Sequence, residues 1–182
     1  STCDRCHGRG QIVDTPCKTC DGKGKIRRQK TIEISVPAGI DDDQILNVGG
    51  KGNAGSNGGP NGDLHVYITV RPHAIFTRRG NDVWCDMPIT FTQAALGAEV
   101  TVPTLDGKVS YTVHEGTQPG DVFKLKGKGI QSINGRGRGD QYVRVTVEVP
   151  KKLSKRQKEL LQEFEQNADE KNYQKRKSFF GK

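Results

Sequence analysis

TIEISVPAGIDDDQILNVGGKGNAGSNGGPNGDLHVYITVR, residues Thr31–Arg71, occurs in this chain in two related copies. A shift of 77 positions aligns it without a gap on KVSYTVHEGTQPGDVFKLKGKGIQSINGRGRGDQYVRVTVE, residues Lys108–Glu148. Twelve of the 41 aligned pairs are identical, and several apolar positions stay apolar where the residue differs. A repeat of this length is typical of duplicated domains, not of a solenoid. The sequence therefore predicts two β-units of one design.

Alternation of apolar and polar residues predicts three strands in the first copy, at Thr31–Val36, Ile45–Val48 and Leu64–Val70. The loop 49–62, between the second and third strands, contains seven glycines in fourteen residues. Within this loop, Gly50–Gly55 reads G-x-G-x-x-G, the pattern of a dinucleotide site. Such a site needs a helix to begin there, whereas here a turn and a strand follow. We therefore interpret the loop as the connection of a β-hairpin.

Further strand and helix signals surround the second copy. Strands are predicted at 82–89, 99–102, 108–113, 122–125 and 141–147, with a hairpin turn at 105–107. Thr92–Gly97 is predicted to be a short helical turn that ends at Gly97. Cys85 stands in a strand and no base can be nominated to activate it, so we interpret it as a half-buried strand residue. No catalytic residue is predicted, and we do not expect the chain to be an enzyme.

Length, charge and cysteine content restrict the class of protein. The 182 residues leave room for two small domains, and no apolar run approaches the ~18 residues of a membrane span. The net charge is +8, but five of the eight excess positive charges lie in residues 151–182. This placement favours a solvated basic helix and tail over a nucleic-acid surface. Four of the five cysteines form C-x-x-C pairs and no secretion signal is recognised, so we expect a reducing, cytoplasmic compartment.

An eight-residue motif, C-x-x-C-x-G-x-G, begins at Cys3 and again at Cys17. Cysteines three apart on a tight turn can place both thiolates on one ion at about 2.3 Å, and two such turns complete a tetrahedral site. The glycines allow positive φ, so that backbone N–H groups can turn toward the sulfurs. The predicted cofactor is structural zinc, with Cys3, Cys6, Cys17 and Cys20 as ligands. Because apolar residues are few here, the segment would depend on the metal for its folding free energy.

A helix is predicted after Pro150. Ser154–Gln157 has the pattern of a capping box, and Leu160, Leu161, Phe164 and Ala168 follow on one face. This apolar stripe is too short to form a core of its own. It either packs on the second β-unit or pairs with another chain, and we favour pairing through Leu160, Leu161 and Phe164.

These motifs together resemble the C-terminal half of the DnaJ-type J-domain co-chaperones that contain a cysteine-rich zinc region. The resemblance is carried by the twin cysteine motifs, the repeated Gly-Lys-Gly loops, the Gly-Asp pairs before strands, and the helix LSKRQKELL (153–161). It covers essentially all of the chain and implies a mainly β fold: two tandem small β-sandwich domains, a partial cysteine-rich zinc insertion, and a C-terminal α-helix. The implied domains are 1–25 (zinc region), 26–72 and 73–150 (sandwiches), and 151–182 (dimerisation helix and tail). On this reading, the chain lacks the J-domain and begins partway through the insertion.

The resemblance also implies a function and partners. Members of this family hold unfolded polypeptide for delivery to a DnaK-type ATP-driven chaperone, and dimerise through the C-terminal helix. Strand addition at an open sheet edge is the physical mode that we expect. The implied peptide-binding residues are Ile32, Ile34, Val66 and Ile68, of which Ile32 and Val66 are the best placed. For all four residues, ordinary sandwich core is the alternative interpretation. We do not expect a membrane or nucleic acid as partner.

Several alternatives stay open at this point. In the family, the two cysteine pairs present here would serve different zinc ions. The chain could therefore bind one zinc with both pairs, share zinc between chains, or bind none. A zinc-ribbon nucleic-acid module is a rival function, although the cysteine motifs contain no aromatic residues to stack on bases. A weak thiol–disulfide oxidoreductase is another rival, although both C-x-x-C pairs lie in glycine-rich loops and not at a helix start.

Overall fold

The computed structural model describes residues 4, 6, 10, 15, 17–20, 24–56, 58–173, 175, 178 and 179. The elements within them, in chain order, are β1 Ile45–Val48, β2 Leu64–Tyr67, β3 Thr77–Arg79, β4 Asp82–Thr90, α1 Phe91–Leu96, β5 Ala98–Thr104, β6 Gly107–Val113, β7 Val122–Leu125, β8 Gln141–Glu148, α2 Lys155–Asn167, and a 3-10 helix at Glu170–Asn172. The predicted mainly β fold with a C-terminal helix is therefore confirmed. In the described part of the chain, no helix has the length and apolarity needed to cross a membrane.

The chain divides into two compact units. The first consists of Ser1–Val36 and Ile45–Val66, and the second of Pro37–Gln44 and Tyr67–Lys182. Eight residues from the middle of the first repeat copy thus belong to the second unit, and the chain passes between the units three times. The boundaries inferred from sequence at 25, 72 and 150 stay predictions.

The second unit contains a four-stranded sheet and a separate hairpin. The sheet has the order β3-β4-β8-β7, and the hairpin pairs β5 with β6. β4 and β8 run parallel, from Val83 opposite Gln141 to Thr90 opposite Glu148. Alternate residues of these strands point inward, which is why β4 and β8 supply most of the core. The core residues are Cys85, Met87, Ile89, Ala94, Val102, Val113, Val143 and Val145.

The helix α1 has the ends that its sequence predicts. The Thr90 side chain accepts a hydrogen bond from the Gln93 backbone N–H, and the Gln93 side chain accepts one from the Thr90 backbone N–H. This reciprocal capping box satisfies two donors that the first helical turn leaves unpaired. Gly97 follows the last residue with φ of 76°, so the predicted end at Gly97 is confirmed.

The glycine loops of the two repeat copies are closed by the same kind of hydrogen bond. In the first copy, Asp63 Oδ1 accepts a hydrogen bond from the Gly50 N–H at 2.8 Å. In the second copy, Asp140 Oδ1 accepts one from the Gly127 N–H at 2.7 Å. Gly50 and Gly127 have φ of 65° and 67°, a conformation that favours glycine. Both Gly-Asp pairs therefore close hairpin loops, and the G-x-G-x-x-G stretch is part of one of them.

Packing in the first unit is looser. β1 and β2 form a two-stranded sheet, and no described residue of this unit is fully buried. Val66 is half-buried, whereas its copy Val143 is 0% exposed. The cause is the number of neighbours in the described part of the chain: β8 lies between β4 and β7, whereas β2 pairs only with β1. The same sequence design thus gives one closed core and one open face.

The prediction of a strand at Thr31–Val36 is wrong in the described structure, where these residues form no strand. Their copy lies in β6, which pairs along all of Gly107–Val113 with β5. A shift of 77 positions places the counterpart of β5 at residues 21–27, and the structure describes no strand over 24–27. An apolar alternation becomes a strand only where a neighbour completes its hydrogen bonds.

Candidate functional site

The segment Thr31–Val36, called here the unpaired segment, keeps the alternation of a strand in its burial. Ile32 and Ile34 are half-buried, while the residues between them are exposed. Val36 falls on the same side as Ile32 and Ile34 in the sequence alternation, but it is 49% exposed. The unpaired segment therefore combines apolar side chains along one side with backbone groups that are not part of a described sheet.

Val36 is not among the peptide-binding residues predicted from the sequence, but its exposure makes it a further candidate. Its copy, Val113, is identical in type and only 2% exposed. Val113 lies opposite Ala98 on β5, and its carbonyl oxygen lies 3.0 Å from the position of a Cβ built on Gly97. Gly97 and Ala98 align with residues 20 and 21, of which the structure describes only Cys20. In the repeat alignment, both valines occupy the last position of the same alternating run.

The other two predicted peptide-binding residues follow each other on one side of the β2 region. Val66 lies in β2, and both Val66 and Ile68 are half-buried. The Ile68 backbone is paired toward β1: its N–H donates to the Gln44 carbonyl at 2.9 Å, and its carbonyl accepts from the Asp43 N–H at 3.0 Å. β2 ends at Tyr67, three residues before the predicted end, although this backbone pairing continues past it. No described strand pairs with the second edge of β2.

A lysine ties the approach to the unpaired segment to the first glycine loop. Lys25 Nζ donates to the Ala54 carbonyl at 3.2 Å and lies 3.3 Å from Ser56 Oγ. The residues that follow, including Arg27, Arg28 and Lys30, are exposed. The unpaired segment is thus preceded by a positively charged stretch, which would attract acidic groups near a bound chain at low salt.

The cysteine motifs are described only in part. Cys3 lies outside the described residues; Cys6 and Cys20 are half-buried, and Cys17 is exposed. Hydrogen bonds from the backbone N–H of Thr19 and then of Cys20 lower the pKa of Cys17 to about 7. This is the geometry expected of a C-x-x-C turn whose amides face the sulfur. Among the described residues, no three His, Cys, Asp or Glu side chains lie together as a metal site requires. The zinc site predicted at Cys3, Cys6, Cys17 and Cys20 therefore stays a prediction, since Cys3 lies outside the described residues.

The predicted dimerisation residues lie on α2. Ser154 caps this helix in a reciprocal capping box with Gln157, as predicted. No described residue of α2 is buried: Leu160 is 47%, Leu161 39% and Phe164 48% exposed. Phe164 makes an edge-to-face contact with Phe91, with ring centroids 6.0 Å apart. Phe164 therefore contacts α1 within the second unit, while Leu160, Leu161 and Phe164 each remain partly accessible.

The sequence matches two known protein-family descriptions. Residues 6–150 match the family described as "DnaJ C terminal domain", and residues 156–182 match "Chaperone protein DnaJ C-terminal region". The chain belongs to the DnaJ family. The resemblance seen in the cysteine motifs and the repeated loops is confirmed. DnaJ proteins are not a family of enzymes, which agrees with the expectation that this chain has no catalytic site.

Individual DnaJ relatives match over nearly the whole chain. "Chaperone protein DnaJ" of Ruminiclostridium cellulolyticum is 60% identical over 181 residues, which are 100% of this chain and 48% of the relative. The protein of the same name from Acetivibrio thermocellus is 54% identical, with 100% of this chain and 47% of the relative covered. That of Methylorubrum populi is 46% identical, with 100% and 48% covered. The chain thus spans about half the length of the DnaJ relatives that it matches.

Proposed function

We propose that this chain is a client-binding region of a chaperone, which holds non-native polypeptide by β-strand addition to the unpaired segment. The observation that carries the proposal is the contrast between the two repeat copies. β6 is paired with β5 along its whole length, whereas the unpaired segment forms no strand. Backbone donors and acceptors beside accessible apolar side chains are what an extended peptide needs in order to add as a strand.

The side chains that would select the client are those on the apolar side of the unpaired segment and of β2. They are Ile32, Ile34, Val66 and Ile68, with Val36 added because of its exposure. An extended peptide presents alternate side chains to one face, so a client with apolar residues at every second position fits best. Main-chain pairing would supply affinity for many sequences, and the apolar contacts would supply the preference.

An Ile32→Asp substitution tests this assignment. A carboxylate at this position would have to be desolvated under a bound apolar peptide, so binding should be lost. Thr31→Asp is the matched control, because it adds the same charge one residue away on the exposed side. The measurement is fluorescence anisotropy of a short labelled peptide of alternating valine and threonine. Equal peptide affinity of the two variants would remove Ile32 from the site.

Strand addition can be separated from simple apolar contact by changing the peptide and not the protein. N-methylation removes a backbone donor, and in an added strand only every second N–H points at the partner. Methylation at one set of alternate residues should therefore abolish binding, while methylation at the other set should leave most of it. Equal loss with both peptides, or with neither, would contradict main-chain pairing.

Delivery of the client to a DnaK-type chaperone is proposed from the family resemblance. If the chain holds its client and passes it on, a labelled peptide bound to the chain should transfer to DnaK. The chain alone should not refold a denatured protein. Peptide release that is the same with and without DnaK and ATP would argue against delivery by this region.

Dimerisation through α2 is proposed on the exposure of Leu160, Leu161 and Phe164. Three large apolar side chains on one helical face are stabilised when a partner covers them, at roughly 25 cal/mol per Å² buried. Pairing with a second copy of the helix would cover the 39–48% of these three residues that remains exposed beside the contact with Phe91.

Zinc binding is proposed from the repeated C-x-x-C-x-G-x-G motif. The family resemblance implies that the two pairs serve different zinc ions, and we propose that each pair contributes to a separate ion. Metal analysis of the purified chain, with and without Cys17→Ser, gives the test. A stoichiometry of one zinc per chain in a monomer, lost completely in Cys17→Ser, would instead support a single shared site.

A further inference from the structure

Arg78, on β3, directs its guanidinium at backbone carbonyls. Its Nη1 donates to the Ile40 carbonyl at 2.7 Å, its Nη2 to the Gly39 carbonyl at 2.9 Å, and its Nε to the Gly80 carbonyl at 2.8 Å. The side chain is 22% exposed and lies 3.6 Å from Asp41 Oδ1. A planar guanidinium with donors at fixed angles can hold two successive carbonyls at once, which a lysine ammonium on a flexible stem does poorly.

The carbonyls that Arg78 holds belong to the turn Pro37–Gln44, which directly follows the unpaired segment. Gly39 has φ of 84°, and a Cβ on it would lie 1.9 Å from the Gln131 carbonyl oxygen. At the other end of the turn, Asp42 Oδ1 accepts a hydrogen bond from the Val70 N–H at 2.8 Å. The turn therefore joins the ends of both segments that carry the proposed peptide-binding residues.

The second repeat copy contains the same turn, held in another way. Asp41 N–H donates to the Gln44 side chain, and 77 residues later Gln118 N–H donates to the Asp121 side chain. In the second copy, however, the Gly116 N–H donates to the carbonyl of Ala95 in α1 at 3.3 Å. In the first copy, Arg78 instead donates to the carbonyls of Gly39 and Ile40.

We propose that Arg78 is a positioning residue for client binding, which fixes the end of the unpaired segment through the carbonyls of Gly39 and Ile40. This inference rests on the proposed function. An acceptor segment that is already held in place loses less conformational freedom when the peptide pairs with it. Without Arg78, the turn and the end of the unpaired segment are free to move, and binding must order them again.

The test compares Arg78→Ala and Arg78→Lys with the control Arg79→Ala. Arg79 is the next residue on β3, but its guanidinium lies over the Trp84 ring, 4.6 Å from the centroid, and does not reach the turn. Affinity for the labelled valine–threonine peptide should fall about tenfold in Arg78→Ala, as expected when a few side chains and backbone groups must be ordered on binding. Arg78→Lys should restore little of this loss, because its ammonium cannot span both carbonyls. Arg79→Ala should bind like the wild type.

Hydrogen exchange supplies a readout that general destabilisation would not give. The Asp43 and Ile68 amides should exchange faster in Arg78→Ala. The urea midpoint followed by Trp84 fluorescence should be the same in Arg78→Ala and Arg79→Ala. If Arg78→Ala does not fold, Gly39→Ala displaces the same turn without changing β3 and should weaken peptide binding equally. Wild-type affinity in folded Arg78→Ala or in Gly39→Ala, with binding still lost in Ile32→Asp, would overturn this inference alone. Absence of peptide binding by the wild type would overturn the proposed function itself.

Discussion

Replacement of Gly139 by alanine should affect the second repeat copy far more than the equivalent replacement affects the first. A Cβ on Gly139 would lie 1.9 Å from the carbonyl oxygen of Asn81 and 2.3 Å from its carbon. At Gly62, the equivalent position in the first copy, the nearest described atom is the Asn53 carbonyl oxygen at 3.9 Å. Neither glycine has positive φ, so the difference is a matter of space and not of backbone conformation.

The cost can be worked out from the bonds that must break. To relieve the overlap, the turn between β3 and β4 has to move by more than 1 Å, given that Cβ atoms essentially never approach a neighbour within 3.0 Å. The Ile130 N–H loses the Asn81 carbonyl at 2.7 Å, and the Asp140 N–H loses Asp82 Oδ1 at 2.7 Å. At about 1 kcal/mol each, plus the desolvation of donors left unpaired, the loss is about 2–4 kcal/mol. The lower entropy of the unfolded alanine chain returns ~0.4–1 kcal/mol.

Urea unfolding followed by fluorescence measures this loss, because the single tryptophan, Trp84, lies in β4 next to the affected turn. With a urea dependence of about 1–3 kcal/mol per M, the midpoint should fall by about 1 M. Gly135→Ala is the control in the same loop: its φ of 68° costs ~1 kcal/mol, but nothing lies within 4 Å of the added Cβ. A midpoint for Gly139→Ala equal to that of the wild type would refute the steric argument.

Three further outcomes follow from the same structure. Val36→Asp should weaken peptide binding and leave the tryptophan midpoint unchanged, whereas Val113→Asp, at a position 2% exposed, should unfold the second unit; the reverse pattern would contradict the assignment of the open face. The Gly127 N–H, and next Lys124, hold the pKa of Asp140 below its ordinary value, so this carboxylate stabilises the fold above about pH 4 and the contribution is lost as acid protonates it. Asp140→Asn should therefore flatten the loss of stability below pH 4, and an unchanged acid profile would argue against this. Truncation before Ser154 should convert a dimer to a monomer in sedimentation equilibrium, and one mass for both chains would remove α2 from that role.

The sequence predicted those parts of the fold that depend on local chemistry. The shared positions of Gly50 and Gly127 anticipated two loops closed in one way, and both are closed by an aspartate that follows. The capping box at Ser154 and the end of α1 at Gly97 were also predicted, because a cap needs only a few neighbouring residues. These features do not depend on what packs against them.

The features that the sequence did not predict depend on contacts between residues distant in the chain. Alternation at Thr31–Val36 predicted a strand, but a strand also needs a neighbour, and sequence period does not say whether one is there. Arg78 carries no signal of its role either, since its acceptors are backbone carbonyls that any residue could supply. Val36 and Val113 are identical in type, so the sequence gives no sign that one is 49% and the other 2% exposed.

The difference in burial between the two repeat copies bears on the proposed function. In the second copy, β8 lies between β4 and β7, β6 pairs with β5, and the valines at the centre of β8 are buried: Val143 is 0% and Val145 1% exposed. The described first copy retains the turns, the Gly-Asp loops and the apolar alternation, and no described strand pairs with the second edge of its β2. Apolar side chains kept in register beside unpaired backbone cost stability unless something occupies them. An extended chain with alternate apolar residues would satisfy both the side chains and the backbone, which is why we propose an unfolded client for this face in preference to a small ligand or a nucleic acid.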